Sequence, residues 1–332
     1  MSKKIFLNLI ASLLMVVVAW CFFFYPAYIC IKLTSNPVLY AGGIPQFVFS
    51  QFEKTSISYN KWANEYLESH KAESFGSDCS PNTEWPVFGS AYYLLTAEEI
   101  VKKLENNDDP TSKRIIKTAR ETSKVAAEVL ADPKTGSWSR NLWGDSYRDK
   151  ENLFYRMLII MGLSSYEKIT DDTTYRQLLK KQSLTLAAEL KKADTYLFDN
   201  YQYLIADKDT GMIIKDYEFM ASSFAIGAAR SNGRIDHSCP LTMETVACSW
   251  PTPFGLIVLK LLSYGSCKTA CLGEVALLFL MTRPIASNQI MVYEGRLPML
   301  VNVIISFYLI CGILLLLPEI IQLNKWYKHH KK

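Results

Sequence analysis

Two long apolar runs, one near each end, constrain this chain more than any other feature. From Ile5 to about Ile31 the sequence IFLNLIASLLMVVVAWCFFFYPAYICI carries no charge, and neither does PMLVNVIISFYLICGILLLL, from Pro298 to about Leu317. At about 1.5 Å per residue, each is long enough to cross roughly 30 Å of hydrocarbon as a helix. Lys3 and Lys4 ahead of the first run also suit a secretory signal. The run, however, exceeds the usual apolar region of about 7–15 residues, and no small-x-small processing site follows it. An uncleaved anchor is therefore expected.

Charge sets the expected orientation. Lys3 and Lys4 precede the first run, and Lys325, Lys328, Lys331 and Lys332 follow the second, whereas the inner ends have only Lys32 and Arg296 nearby. Positive flanks resist translocation, so both termini are expected in the cytoplasm, with residues 33–296 outside a bacterial inner or plasma membrane. Of the net charge of +4, residues 1–32 and 297–332 hold +3 each, which leaves −2 for the middle. A mildly acidic outer domain without a basic stripe gives no footprint for nucleic acid. The lipid bilayer is the first expected partner.

Cys21, Cys30 and Cys311 lie in the apolar runs, leaving Cys79, Cys239, Cys248, Cys267 and Cys271 between them. In an oxidising compartment, a Cys79–Cys239 bridge between two loop-like stretches is one expectation, and burial of all five as small apolar residues is the other. Cys267 and Cys271 stand at i and i+4 with no His or carboxylate motif beside them, so no metal site is expected. No cofactor motif is present, and none is expected.

Between the runs the sequence reads as mostly helical. A broken apolar face from Phe47 to about His70 is followed by the loop ESFGSDCSPNTEWP, and Pro86 suits the first turn of a helix from Val87 to about Glu105. Pro110 and Thr111 open an amphipathic helix to about Leu130. After the aromatic loop DPKTGSWSRNLWGDSYRDKE, Asn152 to Tyr166 is apolar nearly all round and should be buried. The run DDTTY caps an amphipathic helix through Lys192. Tyr196 to Ile214 is rich in Tyr and turn residues, with a short hairpin expected around DKDTG. Phe219 to Arg230 reads as a small-residue helix and SNGRIDHSCP as a loop. Thr252 to Met281 reads as two core helices broken near Tyr264 and Gly265, its Lys260, Lys268 and Glu274 arguing against a third span. Apolar and amphipathic helices thus alternate, the pattern of an all-α, α/α-hairpin array or incomplete α/α toroid between two transmembrane helices.

Two stretches sharpen that expectation: Glu84–Glu98, EWPVFGSAYYLLTAE, and Glu151–Arg176, ENLFYRMLIIMGLSSYEKITDDTTYR. They resemble bacterial membrane-anchored α/α-toroid proteins distantly similar to linalool dehydratase/isomerase, in which a Glu-Trp-Pro run begins an early inner helix. The resemblance covers about a third of the outer domain. It implies that inner helix ends converge on a cavity.

Polar residues at the starts of apolar helices are then the candidates for chemistry. Glu84 beside Trp85 could have its proton affinity raised by desolvation and act as a general acid or base, or could instead stabilise the helix that follows. Asp145, after Trp143 in the aromatic loop, and Tyr155, sharing a helix face with Asn152, complete the expected catalytic set of Glu84, Asp145 and Tyr155. Trp85, Trp143, Asn152, Tyr217 and His237 are the expected substrate-binding residues. Asp236, His237 and Cys239 are the one tight grouping of acid, base and nucleophile types in the outer region. The expected function is acid–base chemistry on a glycan, lipid or isoprenoid. The alternative is a non-enzymatic envelope protein that binds a partner protein or carbohydrate through its many aromatics.

Overall fold

The computed structural model describes residues 3–69, 85–132, 135, 153–189, 219–259, 271–286, 293 and 295–330. Among them the chain is almost entirely helical. The first apolar run forms one long rod: α1 (Lys3–Ala19), a π-helical turn (Trp20–Phe24) and α2 (Tyr25–Thr34). A short α3 (Pro37–Tyr40) leads to α4 (Gln46–Glu68), α5 (Trp85–Leu104) and α6 (Pro110–Ala131). Then come α7 (Leu153–Thr170), α8 (Arg176–Glu189), α9 (Phe219–Ser231) and α10 (Ile235–Cys248). A two-stranded hairpin, β1 (Pro251–Thr252) with β2 (Gly255–Leu256), precedes α11 (Leu272–Thr282) and the long α12 (Met299–His330).

Two helices, Ile10–Thr34 and Met299–Ile321, are long and apolar enough to cross a membrane. A soluble core helix could match that composition, but only 28% and 17% of the residues in these windows are buried. Ile10, Leu13, Leu14, Val16 and Val17 on one rod and Ile310, Ile313, Leu314, Leu317 and Ile320 on the other are exposed. The rods pack antiparallel along their length. The Ser12 hydroxyl donates to the Glu319 carboxylate over 2.5 Å, and further along the Phe24 ring lies against Gly312, where an added Cβ would come within 2.9 Å of it. A glycine at this contact lets two backbones approach closely, as in helix pairs in lipid.

The rest of the core is built around α5. It packs against α6, α7 and α11, while α4 rests on α6 and α11, and α8 covers α7. Tyr93, Leu94, Ala97 and Ile100 on α5 are wholly buried. Its partner α6 keeps Lys and Arg on its outer side and starts on an Asp109 cap, whose carboxylate accepts from the Thr111 and Ser112 amides at 3.0 Å. Gly162 on α7 marks the closest approach of three helices, because a Cβ there would lie 2.5 Å from Leu130 and 3.3 Å from Leu94. The predicted alternation holds here, with α5 and α7 buried and α6 and α8 wet on one side.

Three expectations need correction. SNGRIDHSCP is not a loop throughout, because α10 begins at Ile235 and carries Pro240 inside it. Proline removes one helical hydrogen bond, but Ile235, Cys239, Met243 and Val246 form a buried stripe at helical spacing that holds the segment in place. Secondly, Thr252–Met281 does not begin as a helix. Trp250, at φ +53°, turns the chain into the hairpin instead, with Pro251 opposite Leu256 and Thr252 opposite Gly255. Tyr264 and Gly265, the expected break, lie outside the described residues, as does the DKDTG segment. Thirdly, Cys239 is a buried free thiol, so the suggested bridge to Cys79 is not made.

Candidate functional site

Where the structure places each expected residue decides what can be said of the site. Glu84, Trp143, Asp145, Asn152 and Tyr217 lie outside the described residues. Trp85 opens α5 and Tyr155 lies in the first turn of α7, two helices in direct contact, although their side chains also lie outside the described set. The start of α5 is enclosed: Pro86 and Val87 are buried, and the Ser90 hydroxyl bonds to both the Pro86 carbonyl and the Tyr59 hydroxyl at 2.6 Å. Tyr59 stacks on Tyr93 with ring centres 4.7 Å apart.

His237 is the one expected site residue whose side chain is described, and it is exposed on the first turn of α10. Beside it the Arg234 guanidinium donates to both Asp236 oxygens, at 3.0 and 2.8 Å, and also contacts the His237 ring. The hydrogen bond from Arg234 is the main cause that holds the Asp236 carboxyl below its usual value. Cys239 belongs to the opposite face. Two residues along a helix turn the side chain through about 200°, and burial pushes the Cys239 thiol up to about 12. A protonated, enclosed thiol facing away from the imidazole is no activated nucleophile. The Asp236, His237 and Cys239 grouping therefore divides into a half-buried ion pair with an exposed imidazole beside it and a core residue.

A second cluster was not foreseen. Arg230, at the end of α9, is buried and donates from Nε to the Arg283 carbonyl at 2.9 Å and from Nη1 to the Gly43 carbonyl at 3.2 Å. It thus ties the segment after α3 to the end of α11. Burial first, and then the nearby Arg283 charge, lower its pKa to about 10. Arg283 lies over the Phe279 ring, 4.0 Å from its centre, with Phe279 in turn stacked on Tyr92 of α5. In sequence, Arg230 reads only as a cation at a helix C-terminus, which is why it gave no signal.

A shallow trough of about 400 Å³ runs beside α6, lined by Lys113, Lys117, Arg120 and Lys124 with Glu105 and Glu121. Lys117 lies 3.9 Å from Glu121, and Arg120 donates to the Ile169 carbonyl, so this is a mixed, solvated helix face. Among the described residues, no group of three or more His, Cys, Asp or Glu side chains is placed to hold a metal ion.

A further tertiary feature joins the helical body to the two candidate spans. Helix α10 packs on both α2 and α12, and β1 also rests on α2. The Tyr308 hydroxyl donates to the Ala247 carbonyl near the end of α10 at 2.9 Å. The Trp250 indole N–H donates to the Phe22 carbonyl at 2.7 Å. That carbonyl lies within the π-helical turn, where the regular bonding ladder is broken and an outside donor can be accepted. Trp250 also meets Phe23, Phe307 and Tyr308 edge-on, at centroid distances of 6.0, 6.0 and 5.4 Å. No family model, curated protein or solved structure matches the chain.

Proposed function

We propose that this chain is a two-span membrane protein whose helical domain works on the outer face of a bacterial membrane, both termini being cytoplasmic. The observation that carries this reading is the seating of α10 and Trp250 on both apolar rods, which makes anchor and domain one packed unit. A domain fixed in this way can act only on what reaches the membrane surface. We take its role to be recognition of an envelope protein, a glycan or a lipid through aromatic side chains, on a body that we read as an incomplete α/α toroid.

A second reading, acid–base chemistry on a glycan, lipid or isoprenoid, is favoured by the enclosed start of α5, since Glu84 directly precedes it in sequence. The test is binding and turnover by the full-length protein in detergent, compared with an E84Q/D145N double variant. The recognition role predicts retained partner binding and no turnover by either form. A turnover that falls about a hundredfold or more in the variant would establish the acid–base role instead.

A further inference from the structure

We propose that the β1–β2 hairpin is an interfacial anchor, inserting Phe254 into the outer headgroup and acyl boundary of the bilayer at the level of the π-helical turn. This inference rests on the two-span reading and adds where the bilayer ends on the molecule.

Two independent counts give that level. Twenty residues separate Lys4 from Phe24, about 30 Å of helix, and eighteen separate Phe307 from Lys325, about 27 Å. Each is close to the thickness of the hydrocarbon core. Both end at the same ring of aromatics, because Trp250 touches Phe23 on one rod and Phe307 on the other. The membrane-crossing stretches are then about 5–24 and 307–324, and the upper parts of both rods belong to the domain. The polarity of the exposed face changes at the same height. Among the described side chains, those exposed below it are apolar, whereas above it Lys32, Ser35, Asn302 and Ser306 are exposed beside Tyr28, Ile31, Met299 and Val303.

The hairpin lies at that level with its tip outward. Phe254 is 63% exposed, and its ring is 6.4 Å from that of Phe22. Flanking Pro251, Thr252, Gly255 and Leu256 are buried. The tip is braced: the Thr252 hydroxyl donates to the Gly255 carbonyl at 2.9 Å and accepts from the Phe254 amide at 3.2 Å. A large apolar ring held outward on a braced turn, continuous with the exposed apolar rods, fits the lipid interface. There the amphipathic Trp250 above it and the ring itself each find their preferred medium.

The experiment places the photoreactive residue benzoylphenylalanine, one site at a time, at Phe254, Ile313 and Leu184. The full-length protein is irradiated in phosphatidylethanolamine and phosphatidylglycerol vesicles, and adducts are read by mass spectrometry. Ile313 lies midway along α12, and Leu184 is exposed on α8, away from the rods. The expected result is lipid adducts at 254 and 313 and none at 184. Lipid adducts at 313 with only protein adducts, or none, at 254 would overturn the interfacial anchor while leaving the spans in place. No lipid adduct at 313 would overturn the two-span reading, and the anchor with it.

Discussion

Individual residues show where local chemistry is readable and where it is not. The DDTTY run reads as a cap for α8, but Asp172 closes a turn ahead of that helix instead: its carboxylate accepts from the Thr174 hydroxyl at 2.6 Å, the Tyr166 hydroxyl at 2.6 Å and the Thr174 amide at 2.9 Å, while α8 itself starts at Arg176. These bonds, the Thr174 hydroxyl foremost, hold its carboxyl at about 2. A carboxylate depressed in the folded state contributes stability above its unfolded value near 3.8, and that contribution is lost as pH falls toward about 2. Asp172→Asn should therefore flatten the fall in melting temperature between pH 4 and pH 2, roughly the span between those two values. Parallel profiles for both proteins would show that Asp172 is not the titrating group. Arg230 is the contrary case, since its two carbonyl partners, on Gly43 and Arg283, lie far away in sequence and no local pattern announces them. His237 and Cys239 were adjacent enough to look like a pair, but helical geometry sends them to opposite faces.

At the scale of elements, α5, α6 and α7 were legible because their periodicity matches their burial. The Asp109 cap, Pro110 and the polar outer stripe mark the start and the wet face of α6 in the local sequence. The start of α10 and the hairpin were not legible. There, packing against two distant rods overrides a loop-like composition and a proline. Gly162 tests the tightness of the α5–α6–α7 junction. Gly162→Val would push into Leu130 and Leu94 and should destabilise the domain by about 1–3 kcal/mol, read as a lower denaturant midpoint at unchanged slope. An unchanged midpoint would mean that the three helices can separate at no cost. Of the proposed catalytic residues, Glu84 and Asp145 lie outside the described residues and Tyr155 is in the first turn of α7, and no periodicity in the sequence encodes their mutual placement.

At the scale of the whole molecule, the two apolar runs were the strongest message in the sequence, and both are long helices with outward-facing apolar side chains. The lysine distribution adds an expected orientation that the apolar runs alone do not carry. The structure adds that the rods pair antiparallel and that α10 rests on both, so the helical body and the rods pack as one unit. The central claim, that both ends are inside and the helical domain outside, is tested most directly with reporter fusions in bacterial cells. A fluorescent protein that folds only in the cytoplasm is joined after Lys332. Alkaline phosphatase, active only outside, is joined after Asp108 in the exposed turn between α5 and α6. The two-span account predicts a fluorescent first fusion and an active second one. A dark terminal fusion, or an inactive phosphatase at 108, would contradict it.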